Sequence, residues 1–353
     1  IGMIVQYRLS PETAFRQLIL YGVGLLAMFV CIGLMHRHRI FRILNWPMIL
    51  GSLAILGVLL VVGKEQGGAK NWIKIGDFSF QPSEFVKVAL VFVSANYLTQ
   101  QKGGRDWLPS ALFAILACGL LVAERDLGAA LLIAGTYLIL FYTATGDVKA
   151  TLVGLGSGCV GAVASYFVFD HVRARVAIWQ NPWATYETSG YQIAQGLMAI
   201  ASGGLWGLGL TQGSPKSIPA YNTDYIFAVI CEEFGIIFGI AVIALYLVFI
   251  IRGALVALYA RDRYLMLVAF GCTVLITLQS FIIIGGVIKL IPLTGITMPF
   301  VSHGGSSLIA SLMLLGILEG VAMRNGDMLE DAMDAALEED RRISRQEGGE
   351  HAG

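Results

Sequence analysis

The chain has 353 residues, of which 56 % are hydrophobic and only 14 % are charged, and its mean hydropathy is +0.73. This composition excludes a water-soluble globule of this length and indicates a polytopic membrane protein. The formal net charge of +0, without a basic cluster interleaved with aromatic residues, excludes nucleic acid as a partner.

Apolar runs close to the ~20 residues that cross a bilayer recur along the chain. Eight candidates are 15–35, 46–63, 107–123, 127–145, 151–169, 225–251, 264–287 and 304–323. A ninth, 82–98, is shorter and carries Glu84 and Lys87, but counting it as a span makes the connections alternate consistently. The sequence therefore predicts an all-α bundle with nine visible spans.

Positive charge concentrates in cytoplasmic connections, so its distribution predicts orientation. The connections predicted to be cytoplasmic carry Arg37, Arg39, Arg42, Lys102, Arg105, Lys149, Arg252, Arg261, Arg263 and Arg324. The opposite set, 64–81, 124–126, 170–223 and 288–303, is predicted to face outward. Residues 1–323 then form one transmembrane domain with a large outer loop, 170–223, and residues 324–353 form a polar cytoplasmic tail. Because the chain begins with an apolar stub at Ile1, a first crossing is expected upstream.

The outer loop 170–223 combines arginines, aromatic residues and glycines. Arg173 and Arg175 suit bidentate binding of phosphate, or else contact lipid headgroups. The aromatic residues are typical either of a membrane interface or of sugar stacking. The glycine-rich run 196–210 predicts a helix or re-entrant segment packed on the outer face, because backbone inside lipid must satisfy its own hydrogen bonds.

The stretch 222–233 places Asp224 where the outer loop enters an apolar helix. A carboxylate at the rim of a membrane is costly and usually functional. Asp224 suits a helix N-cap as well as a general base, and the two roles are compatible. The helix N-terminus favours the ionised carboxylate while desolvation opposes it, so its pKa is left open.

Further charged residues fall in or near predicted spans. Glu84 and Lys87 lie three apart on one helical face and are predicted to neutralise one another, although Lys87 could also pair with Glu232 or Glu233. Orientation of substrate is the alternative role of these charges. The charged turn that contains Asp126 is read either as a solvated loop or as part of a cavity mouth.

Seven ordered motifs carry a resemblance that covers nearly the whole chain. They are G-A-K-N-W-I (68–73), F-Q-P-S-E-F-V-K (80–87), E-R-D-L-G (124–128), G-Y-Q-I-A-Q (190–195), A-S-G-G-L-W-G-L-G (201–209), T-D-Y-I-F-A-V-I-C-E-E-F-G (223–235) and P-F-V-S-H-G-G-S-S (299–307). The chain resembles the SEDS family of the RodA, FtsW and SpoVE type. The resemblance implies a SEDS-type bundle of ten membrane helices, nine of them visible here, with short helices in the outer loop.

The resemblance also implies a function. SEDS proteins are peptidoglycan glycosyltransferases that polymerise lipid II on the outer face of the bacterial cytoplasmic membrane. They work among membrane lipids with a class B penicillin-binding protein and with other elongation, division or sporulation proteins. Lipid II translocation and a non-catalytic scaffold are the alternative functions.

The resemblance further implies roles for individual residues. Asp224 corresponds to the family's general base. The candidates that contact substrate or the leaving pyrophosphate are Arg16, Lys70, Trp72, Arg173, Arg175, Gln195 and Lys216. Independently of the resemblance, the stretch 302–307, which begins with Ser302, is expected to allow close backbone packing and not to catalyse, because no acylation constellation accompanies Ser302 and His303. No compact acidic ligand pattern appears, and magnesium or manganese is left open as a cofactor. The chain departs from the pattern of many relatives at Ala220, Asn222 and His303.

Overall fold

The computed structural model describes residues 2–66, 69–75, 78–100 and 105–326. Lys102 and the greater part of the predicted tail, 327–353, lie outside these residues. The described helices are α1 Gly2–Leu9, α2 Pro11–His36, α3 Arg39–Ile43, α4 Asn45–Val62, α5 Ser83–Thr99, α6 Leu108–Ala123, α7 Leu127–Thr145, α8 Val148–Val168, α9 Asp170–Gln180, α10 Tyr191–Gly203, α11 Ile226–Phe234, α12 Ile236–Leu258, α13 Arg263–Val287 and α14 Gly305–Gly326.

The predicted helical bundle is confirmed. Within the described part of the chain, seven helices are long and apolar enough to cross a membrane, namely α2, α4, α7, α8, α12, α13 and α14. Helix α6 is apolar but shorter, and the run 82–98 folds as α5. The total of nine spans remains a prediction.

The centre of the bundle is built by α5, α7 and α13, which pack on one another. Helix α5 is buried along nearly its whole length, with Leu90, Val91 and Val93 fully inaccessible. A helix at the centre of the bundle tolerates polar residues, because protein groups and not lipid surround them and can pair with them. This position explains the low hydropathy of α5. Helix α8 is the opposite case, since none of its residues is buried.

The predicted span 225–251 is wrong as one continuous helix. The chain breaks at Gly235 into α11 and α12, with φ of 87° at the glycine. A Cβ there would lie 2.3 Å from the carbonyl oxygen of Leu205, so a larger residue could not occupy this position. The amides of Ile236 and Ile237 donate to the carbonyls of Gly204 and Leu205. Hydropathy averages over side chains and therefore misses a break in the backbone.

The connection 64–81, predicted as a loop, folds as a three-stranded antiparallel sheet. Its strands are β1 Lys64–Gln66, β2 Ala69–Ile75 and β3 Phe78–Phe80, with β2 in the middle. The amide of Lys70 donates to the carbonyl of Glu124 over 2.9 Å, which fixes the sheet beside the turn between α6 and α7. Strand β2 thereby carries Asn71 and Trp72 to one end of the bundle.

The segment 170–225 contains α9, α10 and two short 3-10 turns, Pro182–Thr185 and Pro215–Ser217. Helix α10 covers the first half of the glycine-rich run 196–210 and packs closely on α11. Gly196 faces the ring of Tyr225, and Gly203 faces the carbonyl of Cys231. Because glycine has no side chain at either contact, the two helices approach closely and bury Tyr225, the neighbour of Asp224.

Candidate functional site

A cavity of about 650 Å³ lies at the end of the bundle that carries the sheet. Its wall is built by β2, β3, the first turns of α5, α7 and α10, helix α9 and the segments 220–224, 293–297 and 303–305. Its charged lining residues are Glu84, Lys87, Arg125, Asp126, Arg175 and Asp224, with His303 beside them. A polar cavity of this size admits a ligand larger than water.

Asp224 lies on the cavity wall in the turn before α11. Tyr225 occupies the N-cap position of α11, so Asp224 does not take the capping position that was the alternative to a catalytic role. A Cβ at Gly295 would lie 3.7 Å from its Oδ2, and the glycine leaves that space free. Desolvation raises the pKa of Asp224 to about 6, although a hydrogen bond from Thr223 and the charge of Arg175 oppose the rise.

The backbone that precedes Asp224 is held by hydrogen bonds from other elements. The hydroxyl of Ser302 donates to the carbonyl of Thr223 over 2.6 Å. The carbonyl of Asn222 accepts from the amide of His303 over 2.8 Å and from Gln6 Nε2 over 3.0 Å. Residues far apart in sequence therefore fix the position of Asp224, while Ser302 itself does not line the cavity.

The two arginines of α9 differ in their surroundings. Arg175 lines the cavity, where its Nη1 donates to the carbonyl of Thr294 over 3.3 Å. Burial lowers the pKa of Arg175, while the charges of Asp126 and Asp224 raise it, so the guanidinium lies within electrostatic range of both carboxylates. Arg173 is half exposed and pairs with Asp170 over 3.6 Å, outside the cavity wall.

Asp126 ties three elements together. Its Oδ2 accepts hydrogen bonds from Asn71 Nδ2 at 2.6 Å, Gln81 Nε2 at 3.2 Å and Ser83 Oγ at 3.4 Å. Its Oδ1 accepts from the amide of Ala129 at 3.0 Å and caps α7. The turn that contains Asp126 is therefore part of the cavity and not a solvated loop.

Glu84 and Lys87 form the predicted pair within α5. Lys87 Nζ lies 2.8 Å from Glu84 Oε2 and donates to Gln279 Oε1 over 3.1 Å. Gln279 Nε2 in turn donates to the carbonyl of Thr297 over 2.9 Å. Two buried opposite charges thus sit in a network that also reaches the segment 293–297.

The alternative partners of Lys87, Glu232 and Glu233, lie away from the cavity. Glu233 pairs with Arg8 of α1 over 2.8 Å, and Glu232 Oε1 accepts from the amide of Ser214 over 3.0 Å. Pairing of Lys87 with either acid is therefore wrong. Glu232 is thus held by the backbone after α10, and Glu233 by the guanidinium of α1.

Of the residues predicted to contact substrate, Trp72 and Arg175 share the cavity wall with Asp224, and the others do not line it. Arg16 pairs with Glu12 over 3.3 Å on an exposed face of α2. Gln195 Nε2 donates to the hydroxyl of Tyr186 over 3.0 Å. Lys70 and Lys216 are exposed.

Sequence reasoning did not single out Asn71, Gln81 and His303, which also line the cavity. Asn71 and Gln81 lie inside the motifs 68–73 and 80–87, so the motif positions themselves were the signal. The sequence marks His303 only as a position at which this chain departs from many relatives.

The cavity's donor set does not fit a metal ion held by the protein alone. Among residues 2–66, 69–75, 78–100 and 105–326, no three His, Cys, Asp or Glu side chains come together as metal ligands. Both oxygens of Asp126 are already engaged by hydrogen-bond donors.

Comparison with known proteins gives matches over almost the whole chain. The family model described as cell cycle protein, of the FtsW, RodA and SpoVE type, matches residues 3–326. The peptidoglycan glycosyltransferase RodA of Mycobacterium tuberculosis is 36 % identical over 331 residues, covering 88 % of this chain and 70 % of the relative. The stage V sporulation protein E of Bacillus subtilis is 36 % identical over 324 residues, covering 88 % and 86 %.

Two solved structures share the fold. A chain from a peptidoglycan synthase complex, studied for its coordination of polymerization and crosslinking, superposes with a TM-score of 0.79 at 28 % identity and covers 92 % of this chain and 94 % of its own. The rod shape determining protein RodA of Thermus thermophilus superposes with a TM-score of 0.69 at 27 % identity, covering 92 % of both chains.

Proposed function

This chain belongs to the family of cell cycle proteins that contains FtsW, RodA and SpoVE, and on that premise we propose that it is a peptidoglycan glycosyltransferase that joins lipid II units, with Asp224 as general base. The single observation that carries this assignment is the position of Asp224. It is a half-buried carboxylate on the wall of a polar cavity, beside Arg175, in a chain similar to named peptidoglycan glycosyltransferases.

The reaction requires one base. The 4-hydroxyl of the acceptor GlcNAc attacks the anomeric carbon of the donor MurNAc, the bond from that carbon to the pyrophosphate oxygen breaks, and undecaprenyl pyrophosphate leaves from the opposite face with inversion. Asp224 takes the hydroxyl proton. Because desolvation raises its pKa to about 6, the carboxylate is mostly ionised at neutral pH and yet more basic than an ordinary aspartate.

The leaving group develops negative charge that must be stabilised. Arg175 suits this task because its guanidinium lies in the cavity and can bind phosphate oxygens in a bidentate manner. Trp72, on the same wall, offers an indole for contact with a sugar face. Lys87 is already engaged by Glu84 and Gln279, which favours a role in shaping the cavity.

The membrane setting follows from the same arrangement. The chain is a multi-pass membrane protein, and residues 1–323 form its one transmembrane domain in our proposal. The cavity faces outward from the bacterial cytoplasmic membrane and the C-terminus faces the cytoplasm. The connections predicted to be cytoplasmic carry more arginine and lysine than those predicted to face outward, which supports this orientation.

A class B penicillin-binding protein is the proposed partner. The similarity to a chain from a peptidoglycan synthase complex supports it, because that complex couples polymerization to crosslinking.

The reaction itself is tested with purified chain, alone and with its partner, in vesicles that contain lipid II. We expect glycan chains, resolved by gel electrophoresis, and release of undecaprenyl pyrophosphate. Movement of lipid II across the bilayer without any polymer would identify a translocase instead. A chain that neither forms polymer nor moves lipid II, but stimulates crosslinking by the partner, would be a scaffold.

A further inference from the structure

His303 contacts the cavity on one side and a buried amide on the other. Its ring lies on the cavity wall, in the loop before α14. Its Nδ1 lies 2.5 Å from Oε1 of Gln17, which is buried in α2. The same side-chain amide donates from Nε2 to the carbonyl of Ser302 over 3.1 Å.

These contacts fix the tautomer of the imidazole. The carbonyl of Ser302 can only accept, so the NH₂ group of Gln17 must face it and Oε1 must face His303. An oxygen acceptor at Nδ1 requires a proton on Nδ1. In the neutral ring, Nε2 then carries a lone pair and no proton.

Two effects favour the neutral form of the ring. Burial lowers the pKa of His303, and the positive charge of Arg16 on α2 lowers it further. The second ring nitrogen is thus a hydrogen-bond acceptor in the part of the wall that carries Asp224. The backbone amide of His303 donates to the carbonyl of Asn222, and His303 and Asp224 both line the cavity, so the two residues reach it from adjoining turns.

We propose that His303 contacts the acceptor sugar: Nε2 accepts a hydrogen bond from a free hydroxyl next to the one that Asp224 deprotonates, and Gln17 is the positioning residue that sets this tautomer. The inference rests on the proposed glycosyl transfer and adds a specificity residue to it. The free hydroxyls that flank C4 of GlcNAc are those at C3 and C6, and one of them is the donor.

The tautomer is tested without any turnover. The chain is labelled with ¹⁵N-histidine, and the signals of His303 are assigned from the difference between the parent and His303→Asn spectra, because the chain has 5 histidines. We expect a protonated Nδ1 and an unprotonated Nε2 in the parent. In Gln17→Met, which cannot accept from Nδ1, the proton is expected to shift toward Nε2. A protonated Nε2 in the parent would overturn the inference.

Binding of lipid II is the second readout, with a matched pair of substitutions. His303→Asn keeps an amide near Nδ1 and removes the acceptor from the cavity, whereas His303→Gln places an amide oxygen near Nε2. We expect the dissociation constant to rise about tenfold in His303→Asn, the effect of losing one neutral hydrogen bond. We expect it to stay near the parent's in His303→Gln. Equal affinity of His303→Asn and the parent would overturn the proposal.

Deoxy substrates identify the hydroxyl. We expect either 3-deoxy or 6-deoxy GlcNAc in lipid II to weaken binding to the parent and to cause no further loss in His303→Asn, as in a double-mutant cycle. If the affinity losses caused by the deoxy sugar and by His303→Asn add in full for both analogues, the contact is contradicted. Asp224→Asn is measured in parallel: glycan formation by that variant at the parent's rate would remove the proposed base, while the nitrogen shifts and binding constants still decide the role of His303.

Discussion

The hydroxyl of Ser302 donates a hydrogen bond of 2.6 Å to the carbonyl of Thr223 and so joins the loop before α14 to the residue that precedes Asp224. The same hydroxyl accepts from the amide of Met298 over 2.9 Å. The carbonyl of Ser302 accepts from Gln17 of α2. One buried serine therefore connects α2 and the 298–303 loop to the turn that carries the proposed base.

Ser302→Ala is expected to lower the polymerisation rate constant by about tenfold or more, because a small displacement of a catalytic group has a large effect on rate. The measurement is kcat with lipid II, compared with the melting temperature. Ser157→Ala on the exposed face of α8 is the control and should keep the parent's kcat. A variant with lower stability and unchanged kcat would assign Ser302 to folding alone.

The pH dependence of the reaction follows from the raised pKa of Asp224, which is about 6. The base acts in its ionised form, so kcat/KM should be nearly constant above that pH and fall about tenfold per pH unit below it. A kcat/KM that stays nearly constant down to pH 4.5, as with an ordinary aspartate, would contradict a desolvated Asp224. The measurement is the initial rate of glycan formation between pH 4.5 and pH 8.

Arg175→Gln is expected to lower kcat/KM by about 10- to 100-fold, because a charge-assisted contact with the leaving pyrophosphate is lost. The acid limb of the pH profile should also move to higher pH, since the charge of Arg175 lowers the pKa of Asp224. Arg173→Gln is the matched control from the same helix and should behave like the parent. Equal losses in both variants would mean that the arginines act through general surface charge.

How far the fold could be predicted depends on the kind of signal each element carries. Residues Leu127–Thr145 form α7 within the predicted bounds, because a single apolar run of this length satisfies its backbone hydrogen bonds in lipid as a helix. The break at Gly235 and the sheet at 64–80 were missed. The close packing of Leu205 on Gly235, which leaves no room for a Cβ, and the pairing of strands are tertiary contacts that a hydropathy average does not contain.

The site was predicted in part. The pairing of Glu84 with Lys87 follows from their spacing on one helix, and the motif around Asp224 pointed to a residue that lies on the cavity wall. The two arginines of α9 could not be told apart by sequence, because only the packing of that helix on the segment 293–297 directs Arg175 inward. The contact between Gln17 and His303 joins residues 286 positions apart and left no sequence signal.

Asp126→Asn is expected to destabilise the chain by about 1–3 kcal/mol, because an amide nitrogen would face the donors of Asn71, Gln81 and Ser83 or leave one of them unpaired. The measurement is thermal or denaturant unfolding in detergent. Asp147→Asn is the matched control: it too caps a helix through its Oδ1, but at an exposed position, and Asn is an equally good cap. Equal stability of the two variants would contradict the buried hydrogen-bond network.

The most direct test of the central claim is the rate of glycan formation by Asp224→Asn at saturating lipid II. The account predicts a fall of ~10²–10⁴-fold with lipid II binding retained, the range expected when a general base is removed. Asp170→Asn, which changes a carboxylate that is 97 % exposed, should polymerise at the parent's rate. Glycan chains formed by Asp224→Asn at the parent's rate would contradict the account.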